Sequence, residues 1–441
     1  MTADSDVEER IARWRAYVEQ RRKLPESDIT DSEARLRGSV TELTAAGLAA
    51  DEAFLIAVKR LGGADELLWK QLVPLSDAAA RNRVTRPDLV VMVGCAVASA
   101  VAVKLPVAFG VDLDGHPEFY GRNAALFAFA PLAVYFAIRH RLSLRVVAML
   151  AGLFGLGAVA ANAYPLGSDS QSLVLTAIHL PIALWLVTGV AYTAGAWRSG
   201  RRRMDFIRFT GEWFIYFVLI CLGGGVLIGV TLGTFDAIGV DAEEFVSQWL
   251  LPCGGVAAVV VAAWPAEGTQ NVVGNIAPLL TKVFTPLFTA VLLALLAGIG
   301  LSGRGIDVDR DALILFDVLL ALVLALLLYS ISAREPAPAP GAFDRLQLAL
   351  VVSALLVDVL VLAAVAGRIT EWGSTPNRIA ALGENLILLA NLAWSARLLF
   401  GFLRRRTPFG RLEQWQTRYL VIYAVWAWAV VLVFPPLFDF L

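Results

Sequence analysis

Four ionisable residues stand inside long apolar runs of this chain: Lys104, Asp317, Asp358 and Glu384. A bare charge in hydrocarbon costs about 2.5 kcal/mol or more, so such groups are expected to pair, to carry a bound ion or to face a water-filled cavity. Counted along each run at about 1.5 Å of helical rise per residue, all four lie about 9–12 Å below the same membrane face. Three carboxyls and one ammonium at one depth have the chemistry of a proton or cation site, with Lys104 as the counter-charge. Structural ion pairing among the same four residues gives the same spacing, and spacing alone does not separate the two.

The other charged positions read differently. Glu212, Lys282 and Arg397 fall near the opposite face, where the two long basic side chains can snorkel to the interface. Glu212, in Gly211-Glu212-Trp213-x-x-Tyr216, opens a helix whose dipole favours a carboxylate there. Arg368 and Arg378 flank a turn on the acidic side, against the prevailing charge bias. They pair with loop carboxylates or hold an anionic ligand or lipid headgroup. Thr375 followed by Pro376 is a helix start, an N-cap with proline at N1. His116, His140 and His179 are scattered without metal-ligand spacing, so neither a metal nor a cofactor is expected. Cys95, Cys221 and Cys253 all lie in apolar runs and offer no disulfide framework. Neither a Gly-x-Ser-x-Gly elbow nor a His-Glu-x-x-His pair occurs, which weakens an enzyme reading.

The elements that must position these residues are membrane helices. Of 441 residues, 58% are hydrophobic and 17% charged, against about 45–50% and 25% in soluble domains. A hydrocarbon core about 30 Å thick needs roughly 20 apolar residues. About eleven runs approach that: 88–110, 122–138, 146–163, 172–196, 209–233, 245–264, 279–301, 311–333, 345–366, 378–400 and 419–438. The expected fold is an all-α polytopic bundle occupying residues 88–441, with lipid as its main partner. A net charge of −1 argues against nucleic-acid binding, which needs a basic surface.

Arginines concentrate in alternate loops: Arg139, Arg141 and Arg145; Arg198, Arg201, Arg202, Arg203 and Arg208; Arg404, Arg405, Arg406, Arg411 and Arg418. The positive-inside rule puts those loops and the N-terminus in the cytoplasm and the C-terminus outside. Met1 to Arg22 is too charged for a secretory signal. Small residues at Gly225, Gly229 and Gly233, and at Gly94, Ala98 and Ala102, predict close helix packing. Residues 267–278, with Gln270, Asn271 and Asn275 but no basic residue, predict a solvated loop or a re-entrant segment. Alternating prolines in 334–341 predict an extended spacer before the last three spans.

Residues 1–72 form a separate small helical bundle, joined by a linker at 73–87. Val7, Ile11, Trp14 and Val18 share one helix face; Leu36, Val40 and Leu43 share a second, beginning near Asp28 and stopping at Gly47. Phe54, Leu55, Val58 and Leu61 share a third, and 65–72 a short fourth. Trp14-x-x-Tyr17, Ala46-Gly47-Leu48, Asp51-Glu52-Ala53-Phe54 and Arg60-Leu61-Gly62 resemble the permease prefix domain of bacterial membrane proteins. The resemblance implies docking or partner contact, with a cytoplasmic protein as the partner. Further on, Arg368 through Arg378, with Gly373, Thr375, Pro376 and Asn377, resembles the bacterial inner-membrane family known as domain of unknown function 4153. Lys282-Val283-Phe284-Thr285-Pro286-Leu287 is similar to a second element of that family. This likeness covers about 205–440 and implies a multi-pass inner-membrane protein without implying an activity.

Three readings follow. One is a permease-like protein using Asp317, Asp358, Glu384 and Lys104. Another is a non-transporting sensor or scaffold acting through residues 1–72. The third is a lipid-modifying enzyme with Arg368 and Arg378 on a headgroup phosphate. Oligomeric state and substrate are not encoded in any pattern here.

Overall fold

In the computed structural model the chain divides into two units, 1–85 and 86–441. The structure describes residues 7, 8, 10–12, 14, 15, 26–45, 48 and 50–60 of the first. Of the second it describes all but 168, 269–272, 303–309 and 335–338. Every regular element among the described residues is helical.

The first unit contains α1 (Glu26–Ala45) and α2 (Ala50–Arg60), with a further helical stretch around Ile11 and Trp14. Their apolar faces close on one core of Ile11, Trp14, Ile29, Leu36, Val40, Leu43, Ala53, Phe54, Ala57 and Val58, at the spacings that the 3.6-residue period requires. Arg37 of α1 pairs with Glu33 one turn away and with Glu8, and Arg15 donates to Glu33 at 2.8 Å. The expected fourth helix at 65–72, residues 73–85 of the expected linker at 73–87 and the stops at Gly47 and Gly62 lie outside the described residues, and residues 86 and 87 open the first helix of the second unit instead.

The second unit is a bundle of α3 (Arg86–Lys104, continued by a 3-10 turn to Phe109), α4 (Pro117–Arg139), α5 (Leu144–Ala163), α6 (Gln171–Tyr192) and α7 (Gly200–Ala237). After a π-helical stretch at Val246–Leu250 follow α8 (Leu251–Gly268), α9 (Val273–Ser302), α10 (Arg310–Ser332), α11 (Ala342–Trp372), α12 (Pro376–Leu403), α13 (Gly410–Leu432) and the short α14 (Phe434–Leu437). Ten of these helical segments are long and apolar enough to cross a membrane. The eleventh expected run, 419–438, differs. Its helix starts earlier, at Gly410, takes in Arg411, Glu413, Gln414, Gln416 and Arg418, and breaks at Val433 before Pro435-Pro436. Polar residues dilute it below the apolarity of a lipid-facing span. α13 packs against α5, α6, α7, α10 and α12, while Val421, Ile422 and Val425 on it stay exposed.

Two apolar cores flank that wedge. One joins α3 to α8 through residues such as Leu132, Phe136, Leu184 and Val260. The other joins α9 to α12 through Leu292, Leu320, Val351, Val361 and Leu392. Leu420 and Val431 of α13 belong to the first core and Leu412 to the second. The last three long helices therefore do not form a lobe of their own behind the proline-rich spacer, whose residues 335–338 lie outside the description.

Helix ends meet consistently at two levels. At one end Gln248 Nε2 donates to Asp114 Oδ2 at 2.6 Å, Ser172 N to Leu441 O at 2.7 Å, and Asn377 N to Gln171 Oε1 at 3.4 Å. At the arginine-rich end Arg203 Nη1 donates to Thr417 O at 2.9 Å and Arg208 Nε to Ser332 O at 2.9 Å. There Glu267 of α8 also accepts from Tyr135 Oη at 2.9 Å and stands 3.1 Å from His140 Nε2, while Arg139 pairs with Asp88 at 3.1 Å.

Both expected small-residue packing faces turn away from the bundle. A Cβ at Gly225, Gly229, Gly233 or Gly94 would meet no atom of the chain within 4 Å, and no residue in the most apolar window of α7 is buried. Close approaches occur at other glycines. Gly157 faces Leu180 and Trp428, Gly189 faces Phe206, Gly211 faces Tyr329, and Gly383 faces Trp426. Residues 273–278, expected in a loop or re-entrant segment, belong to α9.

Candidate functional site

The second core is interrupted by a polar cluster. Asp317 comes from α10, Asp358 from α11, and Glu384 and Asn385 from α12. All four positions interrupt otherwise apolar helix faces: Val357 and Val361 flank Asp358 in the core, and Leu388 follows Asn385 one turn on. Asn385 is fully buried and its Nδ2 donates to Asp317 Oδ1 at 2.9 Å and to Ala381 O at 2.9 Å. Its Oδ1 has no partner among the described residues. Asp358 is also fully buried, and neither carboxyl oxygen has a hydrogen-bond partner among the described residues. Asp317 is within electrostatic range of both Asp358 and Glu384.

Among the described residues no lysine, arginine or histidine pairs with these carboxylates. Asp358 is fully buried while Asp317 and Glu384 are half-buried, and a bare charge on Asp358 is costly in a low-dielectric interior, which favours a bound proton or cation there. No group of three His, Cys, Asp or Glu side chains among the described residues converges closely enough to hold a metal ion.

The indole of Trp426 lies where a side chain at Gly383 would stand, next to Glu384. Trp426 Nε1 and Tyr423 Oη are buried atoms without hydrogen-bond partners among the described residues. Two turns along α12 from Asn385 lies a satisfied polar knot. Asn391 and Gln416 exchange side-chain amide bonds at 3.0 Å in each direction, and Gln416 Nε2 also donates to Ser395 Oγ at 2.7 Å. All three are fully buried. A second exchanged amide pair, Asn123–Asn162, joins α4 to α5 at 2.9 and 2.8 Å.

Of the expected site residues, Asp317, Asp358 and Glu384 come together and Lys104 does not join them. Its Nζ stands 4.5 Å above the ring of Trp249 in the π-helical stretch, on a helix that packs with α4 and α8. An aromatic face thus takes the ammonium that was expected to balance the carboxylates. Arg378 is occupied too: Nη1 donates to Trp372 O at 3.0 Å and Gly373 O at 2.7 Å, satisfying carbonyls at the C-terminus of α11. Its backbone N–H donates to Thr375 Oγ1 at 3.4 Å, the expected N-cap. Arg368 is half-buried in the last turns of α11. Glu212 is buried beside Tyr329, with Arg208 as its charged neighbour, and Lys282 is exposed.

Asn385 and the Asn391–Gln416–Ser395 knot were the residues that charge-based reasoning passed over. Their signal was available as amides inside apolar runs. Partners on other helices, however, are not visible from one helix at a time. The helices and their apolarity define a multi-pass membrane protein, with buried Asp358 and Asn385 inside its bundle. No family model, no curated protein and no solved structure matches the chain.

Proposed function

We propose that this chain is a permease-like protein of the bacterial inner membrane in which Asp317, Asp358 and Glu384 bind and release protons during its working cycle. The observation that carries this reading is the pair of unpartnered oxygens on fully buried Asp358, beside two further carboxyls with no counter-charge among the described residues. A purely structural role would be served better by an apolar side chain of similar size. The arginine-rich loops support a cytoplasmic N-terminus and an extracytoplasmic C-terminus. The likeness to the permease prefix and to the family of unknown function 4153 points to the same membrane.

The test is proton binding by purified full-length protein, followed by infrared titration of the carboxyl groups. D317N, D358N and E384Q should each remove a titrating group while leaving expression and monodispersity unchanged, and each should fail to complement a deletion strain. Wild-type titration and full complementation by all three variants would refute the proposal. A second reading rests on the separate apolar core of the first unit: a sensor or scaffold acting through a cytoplasmic partner. Under it, deletion of residues 1–72 abolishes the phenotype and the carboxyl variants do not.

A further inference from the structure

At the arginine-rich end a cavity of about 540 Å³ opens between the end of α12 and the start of α13. It is lined by Arg397, Arg404, Arg406 and Arg411 with Trp394 and Thr407 among the other walls. The volume lies within the roughly 300–1,000 Å³ of small-ligand sites. Charge-bias reasoning explains arginines in such a loop as topology signals alone. Three observations here go further.

The loop is built to a fixed shape. Arg404 N, Arg405 N and Arg406 N donate to Phe400 O, Phe402 O and Gly401 O at 3.1, 2.8 and 2.9 Å. Arg405 takes a left-handed φ of 56°, a conformation usually left to glycine or asparagine. Thr407 folds back so far that its Oγ1 fills the space of a Cβ at Gly401, and glycine there makes the floor. Positions 397, 401 and 404 share one face of α12, so Arg397 and Arg404 stand on either side of that floor.

The guanidinium groups are uncommitted to acids. Among the described residues none of the four has an acidic ion-pair partner. The nearest acid in sequence, Glu413, is half-buried. Arg397 instead lies 5.1 Å over the Trp394 ring and Arg404 4.2 Å over the Phe400 ring. Stacking of this kind holds the planar group in place and leaves its N–H edges available.

The walls are two-natured. Trp394 and Phe400 are 43% and 47% exposed on a helix that spans the bundle, so acyl chains would run beside them. The cationic side faces the aqueous end. Four planar donors suit a tetrahedral anion with several oxygens better than a single carboxylate.

We infer that this cavity binds the phosphate headgroup of an anionic phospholipid, with Arg397, Arg404, Arg406 and Arg411 on the phosphate oxygens and Trp394 and Phe400 against the acyl chains. Basic pockets between spans at this level are suited to such headgroups. The inference is independent of the proton site.

The test is native mass spectrometry of the full-length protein exchanged into phosphatidylglycerol or phosphatidylcholine, with inorganic phosphate as a soluble competitor. Wild type should retain phosphatidylglycerol over phosphatidylcholine. The exposed-residue variant R404Q/R406Q/R411Q should lose that preference by about tenfold, while R201Q/R202Q, on the exposed start of α7, should keep it. The charge-preserving R404K/R406K/R411K should bind several-fold more weakly than wild type, because lysine lacks the planar fork. Unchanged retention by the glutamine variant overturns the site. Equal loss in R201Q/R202Q overturns it as well, because general basicity then explains the binding. Displacement of the lipid by millimolar inorganic phosphate overturns the lipid assignment in favour of a soluble phosphate ligand.

Discussion

Trp426 and Gly383 are fitted to each other: the six-membered edge of the indole occupies the volume that any side chain at position 383 would need. The contact joins α13 to α12 directly beside Glu384. The packing of α12 on α13 therefore depends on a backbone position, one residue before Glu384.

Gly383→Ala tests that dependence. A methyl at 383 must displace a large ring in a packed interior, and overpacking of this kind costs about 1–3 kcal/mol. The expected result is a lower thermal midpoint for the purified protein and impaired complementation with all three carboxyls intact. The paired variant G383A/W426F, with a smaller ring, should recover part of the stability. A Gly383→Ala protein as stable as wild type would show that the two helices are free to separate there.

Asn385 and Asp317 should be energetically coupled, because the amide of one donates to the carboxyl of the other at 2.9 Å. Asn385→Ala leaves the half-buried Asp317 carboxyl without its donor, at about 1 kcal/mol. In a double-mutant cycle with Asp317→Ala, the second change should then cost less than it does in wild type, with a coupling of about 0.5–3 kcal/mol. Strict additivity in reversible unfolding would mean that the bond carries nothing.

How far these relationships were legible beforehand depended on the length of chain that each one needs. Ten spans follow from apolar length alone, since lipid imposes that pattern on each helix separately. Asp317, Asp358 and Glu384 stand on three helices that pack together, α10, α11 and α12, as an expectation drawn from counting residues allows. Depth has no angular component, however. Lys104 shares the expected level and sits instead over Trp249, on another side of the bundle. The same lack of direction hides which glycines pack: the ladder at Gly225, Gly229 and Gly233 looks ideal and faces outward, whereas isolated Gly383 and Gly211 receive aromatic rings. The eleventh run has a mixed character for a related reason: the face of α13 that packs on its neighbours carries buried Gln416 and Thr417, while Val421, Ile422 and Val425 stay exposed.

The Asn391–Gln416–Ser395 knot supplies a prediction about α13 itself. Every amide donor released by truncating Gln416 would be stranded in a dry interior. Gln416→Ala should lower stability by about 1–3 kcal/mol. Replacing both partners with apolar residues of similar shape, N391L/Q416M, should cost less than the single change, since no polar group is then left unpaired. If the double variant is the worse of the two, the knot contributes more than satisfied hydrogen bonds, and a role in proton passage between α12 and α13 becomes the simpler account.

The first unit makes a prediction of opposite sign to membrane burial. Glu33 is held below the ordinary glutamate value of 4.5, first by its hydrogen bond from Arg37 and then by Arg15; burial opposes them. A carboxyl whose folded value is depressed stabilises the fold fully above its unfolded value, and that contribution fades as pH falls through the folded one. Residues 26–45 should therefore exchange their amide hydrogens slowly at pH 7 and faster below about pH 4.5, after correction for the intrinsic pH dependence of exchange. Glu33→Gln should remove most of the difference, because the neutral amide neither titrates nor pairs with either arginine. The comparison is made by hydrogen–deuterium exchange on the full-length chain. Equal acid sensitivity of wild type and Glu33→Gln would assign the effect to another carboxyl, with Glu8, the other partner of Arg37, the next to replace.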